Sequence, residues 1–278
     1  MAQEEFYPAA LTIAASDSGG GSGVQADLRT FNAAGVYGCS VITAVAAQNP
    51  RRVLAIQPLS AQIVRDQLIA VLDAVALKVV KTGMLVNRDI VHSTAEVLKK
   101  RRLPLIVDLT VFSAKDDEEV LAAVKDELLL QSSMAVLNIP ECEWFLQKKI
   151  SGNDYAAGAA MFAEHFKCNC VLVISGTEAI TVIDQKIYKL AVPAVADLAE
   201  YADHGAGCTF SAGIAAMIAY GNSWKDAVRA AGAHVFGALN ETAHIGRELD
   251  AMYPPLEDYS RQVSMKAINS GDGRKGRK

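Results

Sequence analysis

The chain has 278 residues, enough for one large domain or two small ones. Its 27 basic and 31 acidic side chains give a formal net charge of −4, which argues against a nucleic-acid binder. Hydrophobic residues make up 51% and charged residues 21%, a composition typical of a soluble globular protein with a sizeable core. Apolar runs are too short to predict a membrane span.

The five cysteines are scattered and include no CxxC pair, so we expect reduced thiols and a cytoplasmic location. The chain begins with acidic residues where a signal peptide would be basic. No linker or change of composition divides it. We therefore predict one domain over residues 1–258, followed by a flexible basic tail over residues 259–278.

Short β-rich runs alternate with segments of helical periodicity along most of the chain. This alternation predicts a largely parallel sheet with helices on both faces. Residues 179–183 and 186–192 flank Asp184-Gln185 and predict an antiparallel hairpin at one edge. Two long helices, over residues 207–220 and 224–244, are expected next. The other predicted strands are 10–15, 40–46, 77–85, 105–111, 134–137 and 171–175, and the other predicted helices are 24–35, 61–75, 88–100, 118–130 and 154–166.

A glycine-rich loop, Ser16-Asp17-Ser18-Gly19-Gly20-Gly21-Ser22-Gly23, joins the first predicted strand to the first helix. No Gly-Lys-Ser/Thr follows, and Ala26 stands where a dinucleotide fingerprint has its third glycine. A Walker-type P-loop and a Rossmann site are therefore disfavoured. The loop is either a flexible turn or a cradle for a small molecule at the carboxyl end of a strand.

The segment His204-Gly205-Ala206-Gly207-Cys208-Thr209 opens an alanine-rich helix. Free N–H groups at a helix start, together with the helix dipole, favour an anion. The same field is expected to lower the pKa of the Cys208 thiol, which would make it a base or nucleophile. An ordinary helix start with a buried cysteine is the alternative.

Polar side chains also lie at the carboxyl ends of three further predicted strands. They lie in Lys81-Thr82-Gly83-Met84-Leu85, at Asp108, and in Asn138-Ile139-Pro140-Glu141-Cys142-Glu143. Each is either an ordinary turn or part of a site at the carboxyl edge of the sheet, where Asp108 could hold Mg²⁺ or cap a turn.

In this order, these segments resemble the hydroxymethylpyrimidine and phosphomethylpyrimidine kinases of thiamine biosynthesis, which belong to the ribokinase-like superfamily. The similarity runs from about Ala10 to His244. Its most specific stretches are residues 10–27, 35–49 and 205–212, with shorter ones at 81–85 and 138–141.

The resemblance implies a three-layer α/β/α sandwich with a mostly parallel central sheet and an antiparallel edge. It implies transfer of phosphate from MgATP to 4-amino-5-hydroxymethyl-2-methylpyrimidine and then to its monophosphate, by a homodimer. The implied catalytic base is Cys208, with Gly205, Ala206 and Gly207 as an anion hole. The implied pyrimidine contacts are Asp27, Gln48, Ala15, Ala46 and Met84; the nucleotide contacts are Asn138, Gly176 and Thr177; the metal ligands are Asp108 and Glu141.

The chain departs from the family pattern mainly on the nucleotide side. The family's Val-Lys-Gly-Gly-His, whose lysine meets ATP phosphates, reads Val-Ile-Ser-Gly-Thr here, with Ile174 at the lysine position. Lys115 and Lys81 are the candidate replacement cations. A threonine in the anion hole is replaced by Ala206, and the glycine closing the first strand by Ala15. A pyridoxal or pyridoxine kinase of this fold and a non-catalytic pyrimidine-binding paralogue remain as alternatives.

Overall fold

The computed structural model describes residues 6–109, 118–196, 198, 200–246 and 249–269. The strands are β1 (Ala9–Asp17), β2 (Tyr37–Asn49), β3 (Arg52–Pro58), β4 (Val79–Thr82), β5 (Leu105–Asp108), β6 (Met134–Asn138), β7 (Asn169–Val173), β8 (Glu178–Ile183), β9 (Lys186–Ala191), β10 (Ala243–Gly246), β11 (Leu249–Ala251) and β12 (Ser264–Ala267). The α-helices are α1 (Gly23–Ala33), α2 (Ala61–Ala74), α3 (Arg88–Leu98), α4 (Glu118–Ala123), α5 (Ile139–Leu146), α6 (Tyr155–Phe166), α7 (Ala206–Ala219) and α8 (Trp224–Asn240). In this part of the chain, no helix has the length and apolar character needed to cross a bilayer.

The main sheet has the strand order β12-β9-β8-β7-β6-β5-β4-β1-β2-β3 over the described residues. Six strands that are neighbours in this order run parallel to one another: β7, β6, β5, β4, β1 and β2. Antiparallel strands flank them, with β3 at one edge and β8, β9 and β12 at the other. The expected mixed sheet with an antiparallel edge is confirmed.

Two hydrophobic cores cover the faces of this sheet. One contains Phe145 and Phe162 and packs α2 to α6 against one face. The other contains Phe31, Phe210 and Phe236 and packs α1, α7 and α8 against the opposite face. The predicted three-layer α/β/α sandwich follows from this division.

Local signals explain where most helices begin. Ser60, Asn87, Asp154 and Ser223 each accept a hydrogen bond from the first turn of α2, α3, α6 and α8. Asn138 forms a capping box with Glu141 at the start of α5. These caps fix the points at which the preceding loops enter the helices.

Several predicted boundaries differ from the structure. The helix expected over residues 118–130 is divided into α4, a π-helical turn (Val124–Leu128) and a 3-10 turn (Leu129–Gln131). The final helix ends at Asn240, and a β10–β11 hairpin follows. Beyond residue 259 the chain is not a loose tail up to residue 269, because β12 pairs with β9 and Tyr259 is buried. Residues 270–278 lie outside the described part.

Candidate active site

The predicted site residues converge at one edge of the sheet because parallel strands end there together. β1, β4, β5 and β6 run side by side in the sheet, and their carboxyl ends carry Asp17, Gly83, Asp108 and Asn138. The start of α7 lies over the same edge. Two cavities open on either side of this helix start.

The first pocket has a volume of about 310 Å³. Most of the residues expected around a pyrimidine share this cavity, together with Asp17 and His204. Its predicted members are Ala15, Ala46, Gln48, Met84, Gly205, Gly207 and Cys208. The structure thus brings the glycine-rich loop, the end of β2, the turn after β4 and the start of α7 around one cavity.

The start of α7 provides amide donors between the two cavities. Gly205 is the N-cap residue, and the N–H of Ala206 donates to the carbonyl of Asp203 at 2.9 Å. The N–H groups of Gly207 and Cys208 lie in the first turn, where the helix itself offers no acceptor. These two N–H groups can donate to an anion, whereas the Ala206 amide is already engaged.

Asp27 does not line the first pocket. Its carboxylate is fully buried and accepts hydrogen bonds from Thr12 Oγ1 at 2.5 Å and from Lys81 Nζ at 2.8 Å. Asp27 was expected to contact a bound pyrimidine ring, but the structure places its carboxylate in the interior, where it supports the pocket through Thr12 and Lys81. A buried carboxylate needs such a partner because desolvation of its charge is costly.

A buried ionic network extends from Asp27 towards α7. Lys81 Nζ also lies 3.8 Å from Asp108 Oδ2, and the same oxygen accepts from Ser211 Oγ at 2.7 Å. Burial alone would lower the pKa of Lys81, but Asp27 raises it, so the lysine stays charged. Burial raises the pKa of Asp27, opposed by Lys81. The network, Thr12–Asp27–Lys81–Asp108–Ser211, joins β1, α1, β4, β5 and α7 beneath the site.

The protonation state of Cys208 is the reverse of the one expected from its position at a helix start. Burial raises the pKa of the thiol to about 12, and Asp27 and Asp108 add to the rise. Lys81 and the backbone N–H of Gly23 oppose it without overcoming it. The resting thiol is therefore neutral, because desolvation outweighs the helix dipole at this site.

The second pocket has a volume of about 510 Å³ and lies between α7, α8 and the ends of β6 to β9. Asn138, Gly176 and Thr177, the residues expected at a nucleotide, all line it. Gly207 lines both pockets, so the two cavities meet at the start of α7.

Lys81, one of the two candidate replacement cations, does not line the second pocket. Ile174 packs against the first core, while its neighbours Val173 and Ser175 line the cavity. Lys81 is held by Asp27 on the side of the first pocket, with Nζ 3.5 Å from the position of a Cβ on Gly83. Lys115 lies outside the described residues. Among the described lining residues there is no lysine or arginine, whereas Glu178 and Asp203 are present.

Asp108 and Glu141, the expected metal ligands, are electrostatic neighbours but already have partners. Asp108 is fully buried in the ionic network, and Glu141 Oε2 accepts from the N–H of Asn138 at 2.9 Å. Burial raises the pKa of Glu141 to about 7, opposed by the hydrogen bonds with Asn138 and reinforced by Asp108. Asp108 is therefore corrected from an open metal ligand to a buried charge next to Glu141.

Asp17, His204 and Lys81 were not assigned to these contacts by sequence reasoning. A lysine inside the buried run Val79–Thr82 is itself a signal, since such a charge requires a partner in the interior. The Asp17–His204 contact spans 187 positions of sequence, so no local pattern could reveal it.

An α/β/α sandwich with two cavities meeting at a helix start defines a ribokinase-like small-molecule kinase. Among solved structures, a pyridoxal kinase from Staphylococcus aureus in complex with AMP-PCP and pyridoxal is similar, with a TM-score of 0.80, 25% identity, and coverage of 95% of this chain and 100% of that one. A phosphomethylpyrimidine kinase from Clostridium difficile has a TM-score of 0.70 and 29% identity, covering 82% of this chain and 97% of that one.

Sequence comparison narrows this class to one family. The phosphomethylpyrimidine kinase family model matches residues 17–252. A hydroxymethylpyrimidine/phosphomethylpyrimidine kinase from Rhizobium meliloti is 38% identical over 242 residues, which cover 83% of this chain and 90% of the relative. The chain belongs to the phosphomethylpyrimidine kinase family.

Proposed function

We propose that this protein transfers the γ-phosphoryl group of ATP to 4-amino-5-hydroxymethyl-2-methylpyrimidine and then to its monophosphate, in thiamine biosynthesis. The observation that carries the proposal is the meeting of two pockets at Gly207, next to Cys208. A pyrimidine in the first pocket and a nucleotide in the second would face each other across the amide donors of α7. Phosphoryl transfer depends mainly on such positioning and on stabilisation of charge.

Each wall of the first pocket suits part of this substrate. Gln48 offers an amide that can hydrogen-bond ring nitrogens or an exocyclic amine, and Met84 offers an apolar side chain to a ring face. The hydroxymethyl group would lie at Cys208. The neutral thiol already carries its proton, so it would orient the attacking hydroxyl rather than act as a base. The hydroxyl proton would pass late to an oxygen of the transferred phosphoryl group, as the new O–P bond forms and the bond to ADP breaks, since a loose transition state needs little early deprotonation.

We propose that Mg²⁺ accompanies the nucleotide. Magnesium usually keeps several waters and takes one or two carboxylates together with substrate phosphates. Glu141, a buried residue at the start of α5, would supply one carboxylate, and fully buried Asp108 adds negative charge next to it. The described lining of the second pocket contains no lysine or arginine. The ion would therefore supply the positive charge that neutralises the phosphates.

A homodimer and a cytoplasmic location complete the proposal. The dimer is supported by apolar side chains exposed on β3, at the edge of the sheet. The location is supported by the cysteines, all of which are free thiols.

A pyridoxal kinase is the second candidate, because structural similarity to the pyridoxal kinase of Staphylococcus aureus extends over 95% of this chain. Ile174 and the acidic second pocket favour a third candidate, a paralogue that binds a pyrimidine without catalysis. The three differ in substrate turnover, so one assay separates them.

The test is ADP release from MgATP with the free pyrimidine, its monophosphate or pyridoxal. We expect turnover on the two pyrimidines and a loss of about 100-fold or more in Cys208→Ala. Cys39→Ala is the matched control, since Cys39 is a half-buried thiol on β2 outside both pockets. Faster turnover of pyridoxal would support the second candidate. Tight pyrimidine binding by calorimetry without ADP release would support the third.

A further inference from the structure

Two loops that carry the site touch each other through backbone atoms. The β1–α1 loop (residues 18–22) meets the loop before α7 (residues 201–205). Gly205 has a φ of +87°, and a Cβ there would lie 1.9 Å from the carbonyl oxygen of Gly21. A Cβ on Gly21 would lie 2.5 Å from Cδ2 of His204. A side chain at Gly205 would therefore require a loop to move, whereas a side chain at Gly21 would displace the His204 ring.

Asp17 organises the first loop and reaches the second. Its Oδ1 accepts from the N–H of Gly19 at 2.7 Å, and its Oδ2 accepts from the N–H and hydroxyl of Ser22 at 2.8 and 2.9 Å. His204 Nε2 lies 3.1 Å from the same Oδ2. Burial alone would raise the pKa of Asp17, but hydrogen bonds from Gln48, Ser22 and His204 lower it, so the carboxylate is ionised.

His204 lies next to the part of α7 that would receive the transferred phosphate. It directly precedes Gly205, the N-cap residue, and the N–H groups of Gly207 and Cys208 follow within the first turn. Donors of this kind are effective only when they are held in advance at the place where charge develops. Among the described residues, the Asp17–His204 contact joins the residue before this helix start to the β1–α1 loop through two side chains. The N–H of Gly23, directly after the loop, also contacts the Cys208 thiol.

We propose that His204 is a positioning residue for phosphoryl transfer, which acts through Asp17 by holding the start of α7 against the first pocket. The inference deepens the proposed function and rests on it. His204 supports the amide donors and takes no part in bond making. Its loss should therefore affect the chemical step more than the binding of the pyrimidine.

The experiment compares His204→Ala and His204→Gln with the unchanged protein in the ADP-release assay. We expect kcat to fall about 10-fold to 100-fold in His204→Ala, with the KM of the pyrimidine changed less than about 3-fold. The glutamine amide can still donate to Asp17, so His204→Gln should recover much of kcat. His165→Ala, at an exposed position on α6, is the matched control and should leave both constants unchanged.

A double-mutant cycle tests whether His204 acts through Asp17. We expect Asp17→Asn combined with His204→Ala to lose no more kcat than the more severe single variant, because both break one contact. Additive losses would overturn the inference, as would a kcat of His204→Ala within about 2-fold of the unchanged protein. Failure of His204→Gln to exceed His204→Ala would also overturn it.

Calorimetric binding of AMP-PCP with Mg²⁺ separates this inference from the proposed function. If the unchanged protein releases no ADP with any pyrimidine, the proposed function fails. Weaker AMP-PCP binding in His204→Ala, with recovery in His204→Gln, would still support the positioning of the amide donors. Equal AMP-PCP affinity in all three proteins, together with unchanged kcat, would overturn the inference alone.

Discussion

Lys81 carries a buried positive charge whose removal should be costly. Its ammonium lies 2.8 Å from both carboxylate oxygens of Asp27, and both side chains are fully buried. Lys81→Met would leave Asp27 without its cation in the interior. We expect a loss of about 3–5 kcal/mol in the free energy of unfolding, measured with urea.

Two further variants make this prediction specific to the ion pair. Asp27→Asn added to Lys81→Met should recover part of the loss, since the double variant buries no unpaired charge of this pair. Lys99→Met, at an exposed position after α3, should change stability by less than about 0.5 kcal/mol. A loss below about 1 kcal/mol in Lys81→Met would contradict the assigned role.

The raised pKa of Glu141 predicts that the free energy of unfolding depends on pH. Its pKa is raised from about 4.5 in the unfolded chain to about 7 in the folded protein, chiefly by burial. Between these values the folded state keeps a proton that the unfolded state releases, so this contribution to stability is lost as pH rises through 7. The stability lost in this way amounts to about 3 kcal/mol in the free energy of unfolding.

Glu141→Gln removes this titration while keeping an oxygen that can accept from the N–H of Asn138. We expect the variant to gain about 3 kcal/mol relative to the unchanged protein between pH 4.5 and pH 8. The measurement is urea unfolding at several pH values with EDTA present, so that no divalent cation binds the carboxylate. Parallel pH curves for the two proteins would contradict the raised pKa.

At the scale of secondary structure, β3 presents an apolar edge. Val53, Leu54 and Ile56 are exposed, Leu54 to 66%, and β2 is the strand that pairs with β3 over the described residues. An exposed apolar edge strand favours association with another chain. If β3 forms the proposed homodimer interface, Leu54→Lys should give a monomer in light scattering coupled to size-exclusion chromatography.

The control for this variant is Leu130→Lys, which changes an equally exposed leucine far from β3 in sequence. It should leave the dimer intact, and both variants should keep the unfolding midpoint. A monomeric unchanged protein, or a dimeric Leu54→Lys, would exclude β3 as a homodimer interface.

Elements with regular burial were predictable from sequence, and those without it were not. α2 and α3 agree with their predicted ranges to within two residues because one face of each is apolar. β3 was missed because all of its residues are exposed, so it shows no alternation. The four-residue β12 was missed because its position depends on β9, a partner far away in sequence.

The candidate site also contains features that the sequence predicts and features that it does not. The glycine-rich loop and the start of α7 were visible as local motifs, and the structure brings them to one cavity. The burial of Asp27 and the high pKa of Cys208 were not visible, because both depend on side chains from other elements. Local sequence indicates which backbone can hold an anion, whereas tertiary packing determines which side chain is charged.

Over the whole molecule, charge is distributed unevenly between the two pockets. Beneath the first pocket, Lys81 brings a buried cation close to Cys208. The described lining of the second pocket contains Glu178 and Asp203 without lysine or arginine. The charge of Glu178 is paired with Lys189 at 2.6 Å. Asp203 is the other acidic residue of this lining, and it is the nearer of the two to the start of α7 in sequence. A triphosphate in this pocket would meet the charge of Asp203.

Removal of that charge should improve nucleotide binding. We expect Asp203→Asn to lower the KM of ATP about 3-fold to 5-fold at low ionic strength, which corresponds to about 1 kcal/mol of repulsion near the surface. The effect should shrink as salt is added, because exposed charges are screened. The KM of the pyrimidine should not change, since Asp203 does not line the first pocket.

Asp184→Asn is the matched control, because Asp184 lies in the β8–β9 turn, outside both pockets, and asparagine tolerates its positive φ. An equal ATP KM for Asp203→Asn and the unchanged protein at low salt would show that Asp203 does not repel the nucleotide. A lowered KM would mean that the charge of Asp203 opposes the phosphates in this pocket, whose described lining contains no lysine or arginine. Binding of the phosphates would then depend on the amide donors of α7 and on the accompanying cation.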